Sequence, residues 1–301
     1  MVTGTGHAPK ALAKPPVRRL ARDLGVDLSA LAGTGPLGSV THEDVRRAAG
    51  EPAPGQPRER PAQVPAGPGR EERIPVRGVR KHTAAAMVAS AFTAPHVTEF
   101  LQVDATETMA AVRRVRDLPE FTGVKVSPLL FVARALLAAV ARHPMINSSW
   151  DEAAQEIVVK RYVNLGIAAA TERGLIVPTV KDAHALSLAA LARSLDDLAN
   201  TARAGKATPA DLSGGTITIT NVGVFGIDAG TPILTPGEAA ILAFGAIRDM
   251  PWVVDGQLAV RKVTTLSLSF DHRIVDGELG SAVLRDVGSM LEDPIRMLAW
   301  S

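Results

Sequence analysis

The stretch GEPAPGQPRERPAQVPAGPGREER, from Gly50 to Arg73, constrains this chain more than any other. Proline, glycine, alanine and charge fill it, leaving almost nothing that a core could bury. Repeated proline holds such a segment extended, as a semi-rigid spacer rather than a collapsed coil. Residues 51–73 are therefore expected to form a linker between a small module at 11–50 and a large one at 74–301. Residues 1–10 are expected to be disordered.

The small module has a helix opened by Pro16 and bearing Val17, Leu20, Ala21 and Leu24, stopped by Gly25. A second short helix begins at Thr41, with Glu43 and Asp44 in its first turn, where negative charge suits the helix dipole. The GTGPLG between them follows no buried strand and opens no βαβ unit, so it does not read as a dinucleotide site. So few large apolar groups in some forty residues make a marginal core, fit for docking rather than catalysis.

Beyond Ile74 the patterns mix. Helical periodicity covers Val79–Phe92, Thr108–Arg116, Pro128–Arg142, Leu186–Ala204 and Gly277–Leu291. Strand patterns cover His96–Val103, Ile157–Ala169, Leu175–Thr179, Thr216–Thr220, Glu238–Ile247 and Val260–Phe270. The two kinds do not alternate regularly, which favours an α+β fold with a mixed sheet and helices on one face over a doubly wound one.

Bulk properties exclude several functions. The 33 basic and 31 acidic residues leave a net charge of +2, giving no global field for nucleic acid or a membrane. With no cysteine there is no disulfide framework, no thiolate metal site and no cysteine nucleophile, and no metal site is expected. The composition suits a reducing compartment, and a cytoplasmic location is expected. No apolar run reaches the roughly 18–20 residues that span a bilayer.

Near the C-terminus, LSLSFDHRIVDGELGS puts Leu266, Leu268 and Phe270 on one face of a strand and delivers His272 to its end. Imidazole, with an unperturbed pKa of about 6.5, suits proton transfer near neutrality, and an acid four residues on could fix its tautomer.

Several motifs in order resemble the dihydrolipoyl acyltransferase component of 2-oxo acid dehydrogenase complexes. VRRLARDLGVDLSALAGTGPLGSVTHEDV matches the all-α peripheral subunit-binding domain. RGVRKHTAAAMVAS, APHVTEF, NLGIAAATERGLIVPTV, SGGTITITNVGVFG and SFDHRIVDG match the catalytic domain. The resemblance implies a fold similar to chloramphenicol acetyltransferase, and homotrimers packed into a larger hollow core. It also implies that His272 takes the proton from the thiol of coenzyme A or dihydrolipoamide, with no acyl-enzyme. Thr220 stands where the family usually has an oxyanion-stabilising serine. Asp276 matches an orienting residue, with Arg80 as its expected ion-pair partner.

The same resemblance makes Arg77, Arg80 and Lys81 candidate partners for coenzyme A phosphates. His96 either lines the acyl channel or is a packed, hydrogen-bonded histidine. Arg18, Arg19 and Arg22 are the expected docking residues for a dihydrolipoyl dehydrogenase or 2-oxo acid decarboxylase component, although Ser39 stands where the family usually has arginine. No lipoyl domain precedes the docking module, so the swinging arm is expected from another domain or chain. TAPHVTEF and FDHRIVDGELGS look most like branched-chain acyltransferases, with acetyl and succinyl donors as alternatives. A core and tethering subunit without turnover is the competing function, and a free-standing antibiotic-modifying type of acetyltransferase a third.

Overall fold

The computed structural model describes residues 12–50, 71–171 and 174–300. Clustering of contacts divides the chain into two compact units, Met1–Ile74 and Pro75–Ser301. The expected disordered N-terminus, 1–10, and residues 51–70 of the expected linker lie outside the described residues.

In the first unit, α1 (Pro15–Asp23) starts with proline in its first turn and buries Val17 and Ala21. The second helix, α2 (His42–Ala48), is closed by a capping box in which Thr41 and Asp44 satisfy each other's amides. Asp44 also accepts from the amide and hydroxyl of Thr34 at 3.0 and 2.8 Å, tying the GTGPLG loop to the helix start. These donors hold its carboxyl well below the usual carboxylate range, the Thr34 amide contributing most. Val17, Ala21, Val40 and Val45 are the buried core, so polar ties must supplement a small apolar term.

The second unit runs α3 (Gly78–Thr93), β1 (His96–Asp104), α4 (Thr106–Arg116), α5 (Pro128–Arg142), β2 (Ser148–Asp151), β3 (Glu156–Val159), β4 (Leu165–Thr171), β5 (Gly174–Ile176), β6 (Thr179–Val180), α6 (Leu188–Arg203), β7 (Ile217–Asn221), β8 (Ala240–Phe244), β9 (Arg248–Val254), β10 (Gln257–Asp271), α7 (Gly277–Glu292) and α8 (Arg296–Trp300). Its main sheet has the order β1-β10-β8-β7-β4-β5, with β6 beside β4 and β9 beside β10. The β7 strand is parallel to β4 and β8, whereas the other pairings are antiparallel. This is the mixed sheet that the irregular order of elements implied.

Two strand expectations are corrected. Ile157–Ala169 is two strands, β3 and β4, because residues 160–164 leave the ladder and Asn147 Nδ2 donates to the Lys160 and Tyr162 carbonyls instead. Leu175–Thr179 divides at Pro178, which has no N–H for a ladder. The short β2 and the whole of β9 were not expected.

Period-two alternation gives the sheet two unlike faces. Leu266, Leu268 and Phe270 of β10, Leu242 and Phe244 of β8, and Ile217 and Ile219 of β7 pack into the main core with the helices. The α5 helix is buried at ten of its fifteen residues, as a helix apolar on nearly all sides must be. On the opposite face the rows are mostly polar or small, with Ile241 and Phe100 as the large apolar members. One holds Thr98, Ser269, Ile241, Thr218 and Gly166; the next holds Phe100, Ser267, Ala243, Thr220 and Ala168. The segment 222–239 is fastened to this face through Thr218, whose Oγ1 lies 3.2 Å from Thr235 Oγ1 and donates to Glu238 Oε2 at 2.7 Å, and to α3 through Ser90 Oγ, which donates to the Leu234 carbonyl at 2.7 Å.

Candidate active site

His272 is the first residue after β10 and is exposed. Its amide donates to the Pro95 carbonyl at 2.9 Å, fixing its backbone to the connection between α3 and β1. The turn that follows is wound around Asp271. The carbonyl of Asp271 accepts from the Ile274 and Val275 amides at 2.9 and 3.0 Å. Its buried carboxylate takes the Arg273 guanidinium in a fork, Nε to Oδ1 at 3.0 Å and Nη2 to Oδ2 at 2.6 Å. Ile274 and Val275 then enter the core, so the turn is anchored on both sides of an outward imidazole.

Asp276 caps α7, its Oδ1 accepting from the Leu279 amide at 2.9 Å. Among the described residues of one chain it forms no ion pair with Arg80, and its carboxylate serves the helix start. Arg77, Arg80 and Lys81 lie at the start of α3, all exposed. Cations there oppose the helix dipole, so they do not stabilise the helix that bears them.

Thr220 sits inside the sheet on β7, paired with Ala168 of β4 and Ala243 of β8, on the face away from the helices. Among the described residues its hydroxyl has no hydrogen-bond partner. Ala243 pairs in turn with Ser267, four residues before Asp271 on β10. Two strand spacings across and four residues along separate Thr220 from Asp271 by about 17 Å, and His272 lies beyond. One chain therefore does not bring Thr220 and His272 together.

His96 is a packed histidine with both ring nitrogens used. Nδ1 lies 2.7 Å from the Ala94 carbonyl and Nε2 accepts from the Leu234 amide at 3.0 Å, which fixes the Nδ1–H tautomer. In the first unit, Arg18, Arg19 and Arg22 are exposed on α1, and Ser39 is half-buried beside the loop glycines.

A family model described as the 2-oxoacid dehydrogenases acyltransferase catalytic domain matches residues 68–299, and one described as the e3 binding domain matches 11–46. The chain belongs to the 2-oxoacid dehydrogenase acyltransferase family. This acyltransferase is 39% identical over 297 residues to the dihydrolipoyllysine-residue acetyltransferase component of the Bacillus subtilis pyruvate dehydrogenase complex, covering 95% of the chain and 67% of that relative. It is 37% identical to the Staphylococcus aureus counterpart, covering 95% and 70%. Among solved structures it resembles the Azotobacter vinelandii dihydrolipoamide acetyltransferase, whose catalytic mechanism has been investigated through a serine, a histidine and an asparagine. That likeness has a TM-score of 0.74 at 32% identity and covers 79% of this chain and 98% of that one. The cubic core of a pyruvate dehydrogenase complex also scores 0.74, at 31% identity, with the same coverage.

The acyltransferase takes coenzyme A as a substrate, with the lipoyl group carried on a lipoyl domain. Its e3 binding domain and its likeness to a core structure support association with dihydrolipoamide dehydrogenase and assembly into a core. Among the described residues no helix is long and apolar enough to cross a membrane.

Sequence reasoning did not single out Arg273, Trp150 or Glu238. The first two stack, with Arg273 Cζ 5.0 Å from the Trp150 ring centre. With Asp271, Ser90 and Glu238 they line a cavity of about 520 Å³ beside the His272 turn. Only DHR, an acid and a base flanking histidine, hinted at the fork; nothing local hinted at the stack of Arg273 on Trp150, 123 positions away in sequence.

Proposed function

We propose that this chain transfers an acyl group from a dihydrolipoyl thioester to the thiol of coenzyme A, with His272 as general base. The neutral imidazole takes the thiol proton and the thiolate adds to the thioester carbonyl carbon. A neighbouring chain's Thr220 hydroxyl hydrogen-bonds the tetrahedral oxyanion. The carbon–sulfur bond to the lipoyl arm then breaks, and the imidazolium returns its proton to the departing sulfur. The observation that carries this is the outward His272, its backbone pinned on both sides. In the Azotobacter enzyme the investigated serine and asparagine stand 52 residues before and four after the histidine, the offsets of Thr220 and Asp276 from His272. Threonine and aspartate here replace serine and asparagine.

The acyl group proposed is acetyl, because the relatives named above are acetyltransferase components of pyruvate dehydrogenase complexes. Their names give no support to a branched-chain preference. The substrate site is proposed to lie between chains of a trimer, since Thr220 and His272 are too far apart within one. Apolar side chains that a single chain leaves exposed on α3, Val88 and Phe92, suit such an assembly. Arg77, Arg80 and Lys81 are proposed partners for coenzyme A phosphates, and Arg18, Arg19 and Arg22 for docking, a decarboxylase component included. The organisation into 11–50, 51–73 and 74–301, and a cytoplasmic setting, belong to the same reading.

The test supplies coenzyme A with acetyl-, isobutyryl- or succinyl-dihydrolipoamide. Acetyl-coenzyme A should form fastest, and His272→Ala should lower kcat by about a hundredfold or more. A chain that assembles but turns over none of the three donors would be a tethering core instead.

A further inference from the structure

We infer that Arg273 is a positioning residue for the proton transfer: held by Asp271 and Trp150, it sets the direction in which the His272 ring meets the thiol. The inference rests on the base role proposed for His272.

Three observations support it. The Arg273 amide and guanidinium both bind the Asp271 carboxylate, the amide and Nε each 3.0 Å from Oδ1 and Nη2 2.6 Å from Oδ2. His272 lies between these two residues, so its main chain is the middle of a ring closed by that fork. The Asp271 side chain is only 4% exposed, so the carboxylate end of the pair is desolvated, while the Arg273 side chain keeps 28% of its surface in solvent. Finally, the guanidinium stacks on Trp150, and the Trp150 indole donates to Glu152 Oε2 at 2.6 Å. The β2–β3 hairpin thus braces the fork through Trp150.

This arrangement needs arginine for its shape. A planar guanidinium offers parallel N–H groups to the two carboxylate oxygens and a face to the indole, whereas an ammonium is a point charge with neither. Lysine would keep the charge opposite Asp271 while releasing the ring closure. A displacement of about 1 Å in a reacting group is enough to cost about a hundredfold in rate.

The experiment uses the full chain, acetyl-dihydrolipoamide and coenzyme A, with Arg273→Lys, Trp150→Phe, Trp150→Leu and His272→Ala measured side by side. Arg273→Lys should lower kcat ten- to a hundredfold while KM for each substrate stays within twofold, a split that simple loss of folded protein does not produce. Trp150→Phe should keep most of kcat and Trp150→Leu should lose about as much as Arg273→Lys. The Trp150 pair decides the matter if Arg273→Lys does not fold, since neither change unpairs the buried carboxylate. Wild-type kcat in both Arg273→Lys and Trp150→Leu, with His272→Ala inactive, would overturn the positioning role and leave the base intact. Wild-type turnover by His272→Ala would overturn the base itself.

Discussion

Thr218 Oγ1 donates to Glu238 Oε2 at 2.7 Å, and this bond lies against the polar face of the sheet with the carboxyl almost wholly buried. Burial pushes the Glu238 carboxyl up to about 7, against the smaller opposing effects of Thr218, Lys160 and Thr235. The folded chain therefore holds a proton that the unfolded chain releases near pH 4.5. The favourable contribution is complete below that pH and is lost as pH rises to about 7.

Glu238→Gln, neutral at every pH, should remove this dependence. Denaturant unfolding at a series of pH values should find the two proteins alike near pH 4. The variant should gain on the wild type through the window from about 4.5 to 7, by on the order of 3 kcal/mol. A constant difference across that range would mean that Glu238 ionises normally.

The small unit should respond to acid with the opposite sign. Asp44 is held below its ordinary value by the Thr34 and Thr41 donors, so its contribution is present above about pH 4 and lost as pH falls further. Asp44→Ala leaves the amides of Thr34 and Thr41 without their acceptor and should unfold this unit selectively. Binding to dihydrolipoamide dehydrogenase should then fail while acyl transfer by the second unit continues, which two separate assays would show.

Local signals made the α5 and α7 helices legible from sequence almost to the residue: Pro128 opens one, and Asp276 caps the other. The α2 helix was legible for the same reason, through Thr41. The β9 strand had its signal too, since Asp255 and Gly256 both take positive φ in the tight turn that joins it to β10. What no local pattern carries is how distant segments meet. The strand pattern at Thr216–Thr220 locates Thr220 on an element, but only the register through Ala243 to Ser267 shows how far it lies from His272. Charge complementarity between Arg80 and Asp276 was likewise visible in the sequence, but not whether the two side chains meet; within one chain the Asp276 carboxylate caps α7.

The seat of α7 behind the catalytic turn depends on Gly280. A Cβ there would lie 2.5 Å from Cε1 and 2.8 Å from Cζ of the fully buried Phe270 ring. Gly280→Ala gains helix propensity of about 1 kcal/mol but should lose about 1–3 kcal/mol to overpacking. Because α7 begins at Asp276, only four residues after His272, the displacement should also reach the turn. Unfolding curves should show a net loss of stability, and kcat should fall; Gly280→Ser should be worse than Ala in both.

Separation of Thr220 from His272 by about 17 Å or more within one chain makes a stronger test possible than either single substitution. His272→Ala and Thr220→Ala should each be nearly inactive alone, the second by about a hundredfold if its hydroxyl serves the oxyanion. When the two chains are co-expressed in equal amounts and assemble at random, each site draws its histidine from one chain and its threonine from the neighbour. A site receives both intact residues with a probability of one half times one half, so activity should return to about a quarter of wild type in any closed ring with head-to-tail contacts. A site built within a single chain would give no recovery, because every chain then lacks one of the two groups. Mixing the purified, already assembled variants without dissociation should also give none, which separates exchange of subunits from simple addition of residual rates.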